Sequence, residues 1–153
     1  EQDSSLTDEQ KKQVEDMKNK LQSAKDSAQQ QQENEQKKSE RRQEFSSEMD
    51  ELESDDLKIS SAANAEDELA MTASSFEQWD ELLSEMYDYL AGVLNADQYA
   101  SEEENYKQWV AERDSGAENA ASATEDSTQK QLASYSFKQS YTKARCYKLL
   151  DMM

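Results

Sequence analysis

Not one of the 153 residues is proline, and only Gly92 and Gly116 are glycine. Proline is the residue that removes a backbone donor and kinks a helix, and glycine the one that most weakens its interior. Ala, Glu, Gln, Lys, Leu, Met and Ser fill most other positions, and Val and Ile together occur only at Val14, Ile59, Val93 and Val110. A chain so built has little to make strands from and little to stop a helix. The sequence therefore predicts an all-α fold, and what remains open is where its helices end and which faces they bury.

Heptad spacing answers part of that. Val14, Met17, Leu21, Ala24 and Ala28 alternate three and four apart, and the same register resumes at Phe45, Met49 and Leu52. Between them, residues 29–44 hold no apolar side chain, so this stretch has nothing to bury and reads as a solvated helix. Pairs such as Glu33/Lys37 sit four apart to support it. With Thr7 and Asp8 at its start, a helix over about residues 7–54 would be roughly 70 Å long at about 1.5 Å per residue. The next segment uses Leu69, Phe76, Leu83 and Leu90, with Thr72, Trp79, Met86 and Val93 between them. That seam is out of phase with the first, which favours a turn near residues 54–61 and an antiparallel hairpin over one bent helix. Residues 1–61 thus read as a long polar helix and turn, a coiled-coil-like spacer or hairpin arm. Residues 62–153 read as a small antiparallel three-helix bundle. Its second helix begins after Asn95-Ala96-Asp97 with Asp97 as cap, and its third near Thr124-Glu125-Asp126. The last seam runs Leu132, Tyr135, Gln139, Thr142, Cys146, Leu149 and Met153.

The formal charge is −18, unevenly spread. Residues 62–126 hold 17 acidic groups against Lys107 and Arg113, whereas residues 127–153 hold five basic groups and one acidic. A basic last helix among acidic neighbours would relieve their repulsion while leaving a negative face. Nucleic acid and anionic lipid are polyanions, so the balance argues against both and leaves a cationic partner open. No histidine is present and Cys146 is the lone cysteine, which removes His-based acid–base chemistry, multi-cysteine metal sites and an intramolecular disulfide. Two glycines cannot build a phosphate-cradling loop. With 35 carboxylates, acidic pairs four apart arise by chance. No catalytic, cofactor-binding or metal-ligating set is expected, and no run is long and apolar enough to span a membrane. The polar start over residues 1–5, without an initiator Met, reads as a mature form from which an upstream segment has been removed.

Three pieces of the second half stand in a familiar order: Asp80-x-x-Leu83-Ser84-x-x-Tyr87-x-x-Leu90, then Trp109-x-x-x-Arg113-Asp114, then Thr142-x-x-Arg145-x-x-x-Leu149. Together they resemble the LprI-like lysozyme-inhibitor domain, a helical module of secreted and lipid-anchored bacterial proteins. Ser84 stands where that family favours Asn, and the cysteine pair of many members is missing. The resemblance implies an extracytoplasmic, non-enzymatic binding protein, secreted or lipid-anchored at the cell surface, whose partner is a cationic protein such as lysozyme. Asp80, Tyr87, Trp109, Arg113, Asp114, Thr142 and Arg145 are the candidate residues, either as a partner-binding site or as a network tying helices together. The competing expectation is structural: an envelope spacer, or a homodimer through the long helix, with no inhibitory activity.

Overall fold

The computed structural model describes residues 6–153, so the expectation for the polar start falls outside the described residues. Four helices and no strand appear among them: α1, Asp8–Asp56; α2, Ala65–Val93; α3, Ala96–Ala121; and α4, Ser127–Asp151. A single 3₁₀ helix, Leu57–Ser61, follows α1. The fold is all-α, with the long N-terminal helix and the smaller antiparallel bundle that the heptads predict. The chain divides into two compact units, Glu1–Arg41 and Arg42–Met153.

The first unit is helical and exposed at every described position through Glu40. It opens on a reciprocal cap. The Gln10 amide nitrogen donates to Thr7 Oγ1 at 3.2 Å, and the Thr7 nitrogen donates to Gln10 Oε1 at 2.9 Å. Farther along, glutamine amides donate to side chains four residues on, Gln22 to Asp26 at 3.0 Å and Gln36 to Glu40 at 3.3 Å. Such exposed pairs each stabilise a helix by only a few tenths of a kcal/mol, about 0.2–0.5 kcal/mol. Val14, Met17 and Leu21 all stay exposed.

The second unit is built by the end of α1 together with α2, α3 and α4. Phe45 and Met49 are buried, and Leu52 packs against the same core as Trp79, Leu82, Leu83, Met86, Leu90, Trp109, Cys146, Leu149 and Leu150. Burying one such large apolar side chain stabilises by roughly 1.5–3 kcal/mol. Contacts fix the directions. Phe45 meets the Tyr89 ring edge-on at 5.9 Å while Asp56 reaches Ser75, so α1 and α2 run antiparallel. Arg113 reaches Asp80 and Tyr106 meets Tyr87, so α2 and α3 do likewise. Arg145 reaches Glu102 and Phe137 lies on Gly116, so α3 and α4 do as well. The last turns of α1 therefore complete the three-helix bundle as a fourth stave.

Pairing differs from the simplest hairpin register, in which Phe45 would lie near Leu69 and Phe76. The 3₁₀ helix and the extended Ala62 take up chain before α2 starts, so the centre of pairing moves to about residue 67 and Phe45 meets Tyr89 instead. Ala62, with ψ of 138°, is where helical geometry stops, which makes the link a turn rather than a bend in one helix. Asn64 then caps α2 through the Asp67 nitrogen at 2.9 Å. The cap of α3 is Asn95, not Asp97. Gln98 lies three residues after Asn95 and its side chain returns the bond, whereas Asp97 sits in the first turn, where a carboxylate meets the positive helix end. Asp126 caps α4. Gly116 leaves α3 unbroken. A Cβ there would collide with the Phe137 ring, so the glycine lets α4 lay an aromatic side chain directly on the α3 backbone.

Candidate functional site

Two arginines organise the middle of the second unit. Arg113, from α3, donates through Nη1 to Asp80 Oδ1 on α2 at 3.1 Å and to Thr142 Oγ1 on α4 at 3.4 Å. Its Nε reaches Asp114 Oδ1 at 3.3 Å. The guanidinium plane lies over Phe76, 5.3 Å to the ring centroid, and over Trp109 at 5.1 Å. Arg145, from α4, is buried. It donates from Nε to the Tyr87 hydroxyl at 2.9 Å and from Nη2 to Glu102 Oε2 at 3.3 Å, with its charge 5.9 Å from the Trp109 ring. Asp80, Tyr87, Trp109, Arg113, Asp114, Thr142 and Arg145 are therefore brought into one cluster that joins α2, α3 and α4. Asp114 is its most exposed member and, among the described residues, its side chain pairs with Arg113, its neighbour in sequence.

Trp109 is the hinge of an aromatic file crossing the bundle. Phe137 stacks on Tyr141 at 5.4 Å, Tyr141 on Trp109 at 5.6 Å, Trp109 tilts against Tyr106 at 5.7 Å, and Tyr106 meets Tyr87 edge-on at 5.0 Å. Burial drives the Tyr87 phenol above its ordinary value, partly opposed by the hydrogen bond and charge of Arg145. Cys146 lies beside this cluster, with its thiol on the Trp79 carbonyl at 3.6 Å. Burial and the Asp80 charge push that thiol up to about 12, so it stays protonated and a poor nucleophile.

A second polar centre was invisible to spacing. Asp56, whose side chain is 10% exposed, accepts from Trp79 Nε1 at 2.9 Å, Gln139 Nε2 at 3.0 Å, the Ser75 hydroxyl, and the Lys143 ammonium at 2.7 Å. Lys143 also reaches Glu53 at 3.3 Å. Burial disfavours the Lys143 charge, but the Asp56 and Glu53 carboxylates outweigh it and hold the amine above its ordinary value. The arrangement answers a local problem. The last turn of α1 carries carboxylates and no basic residue, the wrong sign for its negative end, and α4 supplies the missing cation. Residues 54–61 read as a turn in sequence, and nothing in that run marks one of its aspartates as buried.

Two clefts flank the arginine cluster. One, of about 410 Å³, lies between α3 and α4 and is lined by Trp109, Glu112, Tyr141, Arg145 and Lys148 among others. The other, of about 240 Å³, lies between α2 and α3 beside Tyr87, Leu90, Tyr99, Glu102, Glu103 and Tyr106. Among the described residues, no group of three or more Asp, Glu, Cys or His side chains converges as a metal site, and no helix is long and apolar enough to cross a membrane. The cluster can orient helices and offer aromatic and carboxylate edges to a cation.

The family model described as Lysozyme inhibitor LprI matches residues 59–149. That span takes in α2, α3 and nearly all of α4, with both arginines and the whole aromatic file. No curated protein and no solved structure matches the chain.

Proposed function

We propose, from the premise that this chain belongs to the lysozyme-inhibitor LprI family, that it is a non-enzymatic extracytoplasmic binding protein whose acidic α2–α3 face engages a cationic enzyme of the lysozyme type. One observation carries the reading beyond family membership. Helix α2 holds eight acidic residues and no basic one. Among the described residues, only Asp80 of these is drawn into an ion pair, with Arg113. The basic helix α4 spends Lys143 on α1 and Arg145 on Glu102 of α3, so it leaves the α2 charge standing.

A negative face of this kind reaches about a Debye length, roughly 8 Å at physiological salt. It accelerates encounter with a basic protein and disfavours acidic ones, from about 10⁵–10⁶ M⁻¹s⁻¹ without steering towards 10⁸ M⁻¹s⁻¹ with it. Steering alone attracts any cation, so specific inhibition also requires a shaped contact, for which the ring edges near the helix ends are the available material. The residues Arg113 and Arg145 act through the scaffold in this scheme: they hold α2 and α3 at the spacing the face needs.

The test is inhibition of lysozyme at low and at moderate salt, beside a polyanion of equal charge. Inhibition that persists at moderate salt and exceeds the polyanion's supports the reading; inhibition that vanishes with salt and is matched by the polyanion defeats it. Sedimentation separates the structural alternative, because a stable dimer without effect on lysozyme is a scaffold. The anchoring mode is read from the residues encoded ahead of Glu1, where a hydrophobic leader ending in a cysteine marks a lipoprotein.

A further inference from the structure

The cleft between α2 and α3 has properties that the charge of the face alone does not give. Its volume, about 240 Å³, lies below the roughly 300–1,000 Å³ of small-molecule sites and suits one long side chain. Three tyrosines line it. Tyr99 and Tyr106 are 40% and 36% exposed, unusually open for rings of that size. Asp88 and Glu103 stand at its edge, and neither has an ion pair or side-chain hydrogen bond among the described residues. Leu90 and Leu94 supply an apolar floor.

The unit already treats its own arginines in this way. Arg145 rests on the Tyr87 hydroxyl, the Glu102 carboxylate and the Trp109 ring; Arg113 rests on Asp80, Trp109 and Phe76. Arg145 holds the Tyr87 and Glu102 side of the cleft, and beyond them Tyr99, Tyr106, Asp88 and Glu103 repeat phenol, ring and carboxylate without a guanidinium of their own. The two helices that line the cleft cannot supply a second guanidinium. Helix α2 has no basic residue, and α3 has only Lys107, paired with Glu104, and Arg113, paired with Asp80. Residues 1–5 contain no basic side chain either.

We infer that the α2–α3 cleft is a receptor for an arginine side chain presented by the basic partner, held by stacking on Tyr99 and Tyr106 and by the carboxylates of Asp88 and Glu103. The inference rests on the binding-protein reading above and sharpens it from a charged face to one anchoring pocket. Arginine is favoured over lysine because its planar guanidinium stacks on rings and forks onto carboxylates, whereas the ammonium is compact and strongly hydrated.

The experiment uses the full chain with labelled tyrosines, titrated with a blocked tri-arginine peptide and its tri-lysine counterpart, while lysozyme inhibition is measured in parallel. The Tyr99→Leu and Glu103→Gln variants both change exposed positions. The expected result is that tri-arginine shifts the Tyr87, Tyr99 and Tyr106 ring signals and binds more tightly than tri-lysine, and that Tyr99→Leu weakens it about fivefold. Equal binding of the two peptides, unchanged by either variant, overturns the pocket, as do shifts that leave Tyr99 untouched. Arginine capture in the cleft without lysozyme inhibition sustains the pocket and defeats the inhibitor reading. Inhibition that both variants leave intact, with silent tyrosines, does the reverse.

Discussion

Asp56 takes four donors from three other side-chain types and a lysine, which makes it the residue whose removal should be felt most widely. Asp56→Ala would leave the Trp79 indole without its acceptor and reduce Gln139 to Ser75 and the Lys143 ammonium to Glu53, and should destabilise by about 3–5 kcal/mol in urea unfolding. Trp109→Ala should cost a similar amount, roughly 3–5 kcal/mol, by opening a cavity in the aromatic file. Cys146 gives a qualitative check. With its thiol buried and pushed up to about 12, it should resist a disulfide-exchange reagent at pH 8 until the protein unfolds. Labelling of the native chain within minutes would contradict that burial. The two arginines were legible through the resemblance, which rests on Trp109-x-x-x-Arg113-Asp114 and Thr142-x-x-Arg145-x-x-x-Leu149. Asp56 was not, since in sequence it is one aspartate of an acidic run, and it is buried by Trp79 of α2 and by the return of α4, whose Gln139 lies 83 residues later.

At the scale of elements, α1 has two chemical characters in one continuous helix. Before Arg41 its described side chains face water, so Glu35→Ala should change stability by only a few tenths of a kcal/mol, about 0.5 kcal/mol at most. A loss of several kcal/mol on thermal melting would show that this unit buries something. Arg42 departs from that pattern, because its Nε donates to the Leu150 carbonyl at 3.3 Å and places a cation at the negative end of α4. Gly116→Ala is a test of opposite flavour. An alanine inside an exposed helix should stabilise by about 0.5–1 kcal/mol, but here the new methyl meets the Phe137 ring, and we expect net destabilisation that Phe137→Leu relieves. Helix identity and rough extent could be read from the absence of proline and from the heptads. The cap at Asn95 and the register of Phe45 could not, since both depend on how much chain the turns consume.

For the molecule as a whole, buried titratable groups set an alkaline limit and the net charge a salt dependence. Tyr87, Tyr141, Tyr147, Lys143 and Cys146 are all raised in the folded state. Each holds its proton more firmly folded than unfolded, so its contribution is intact below the unfolded value and is lost as pH rises through the folded one. Stability should therefore fall on the alkaline side, from about pH 9 upward, and Tyr87→Phe should flatten that fall. Constant stability between pH 8 and pH 11 would refute it. The net charge of −18 adds self-repulsion that salt screens, so the melting temperature should rise between low and moderate ionic strength.

The pairing of Arg42 with Leu150, and of Glu53 with Lys143 and Tyr147, spans nearly the length of the folded unit. A chain delivered N-terminus first, from a ribosome at about 5–20 residues per second, makes Arg42 roughly 5–20 s before its partner exists. Through that interval Phe45, Met49 and Leu52 have no bundle to enter. The charged and amide-rich helix ahead of them is what emerges with them, a hydrophilic escort for a greasy stripe whose seat is synthesised last.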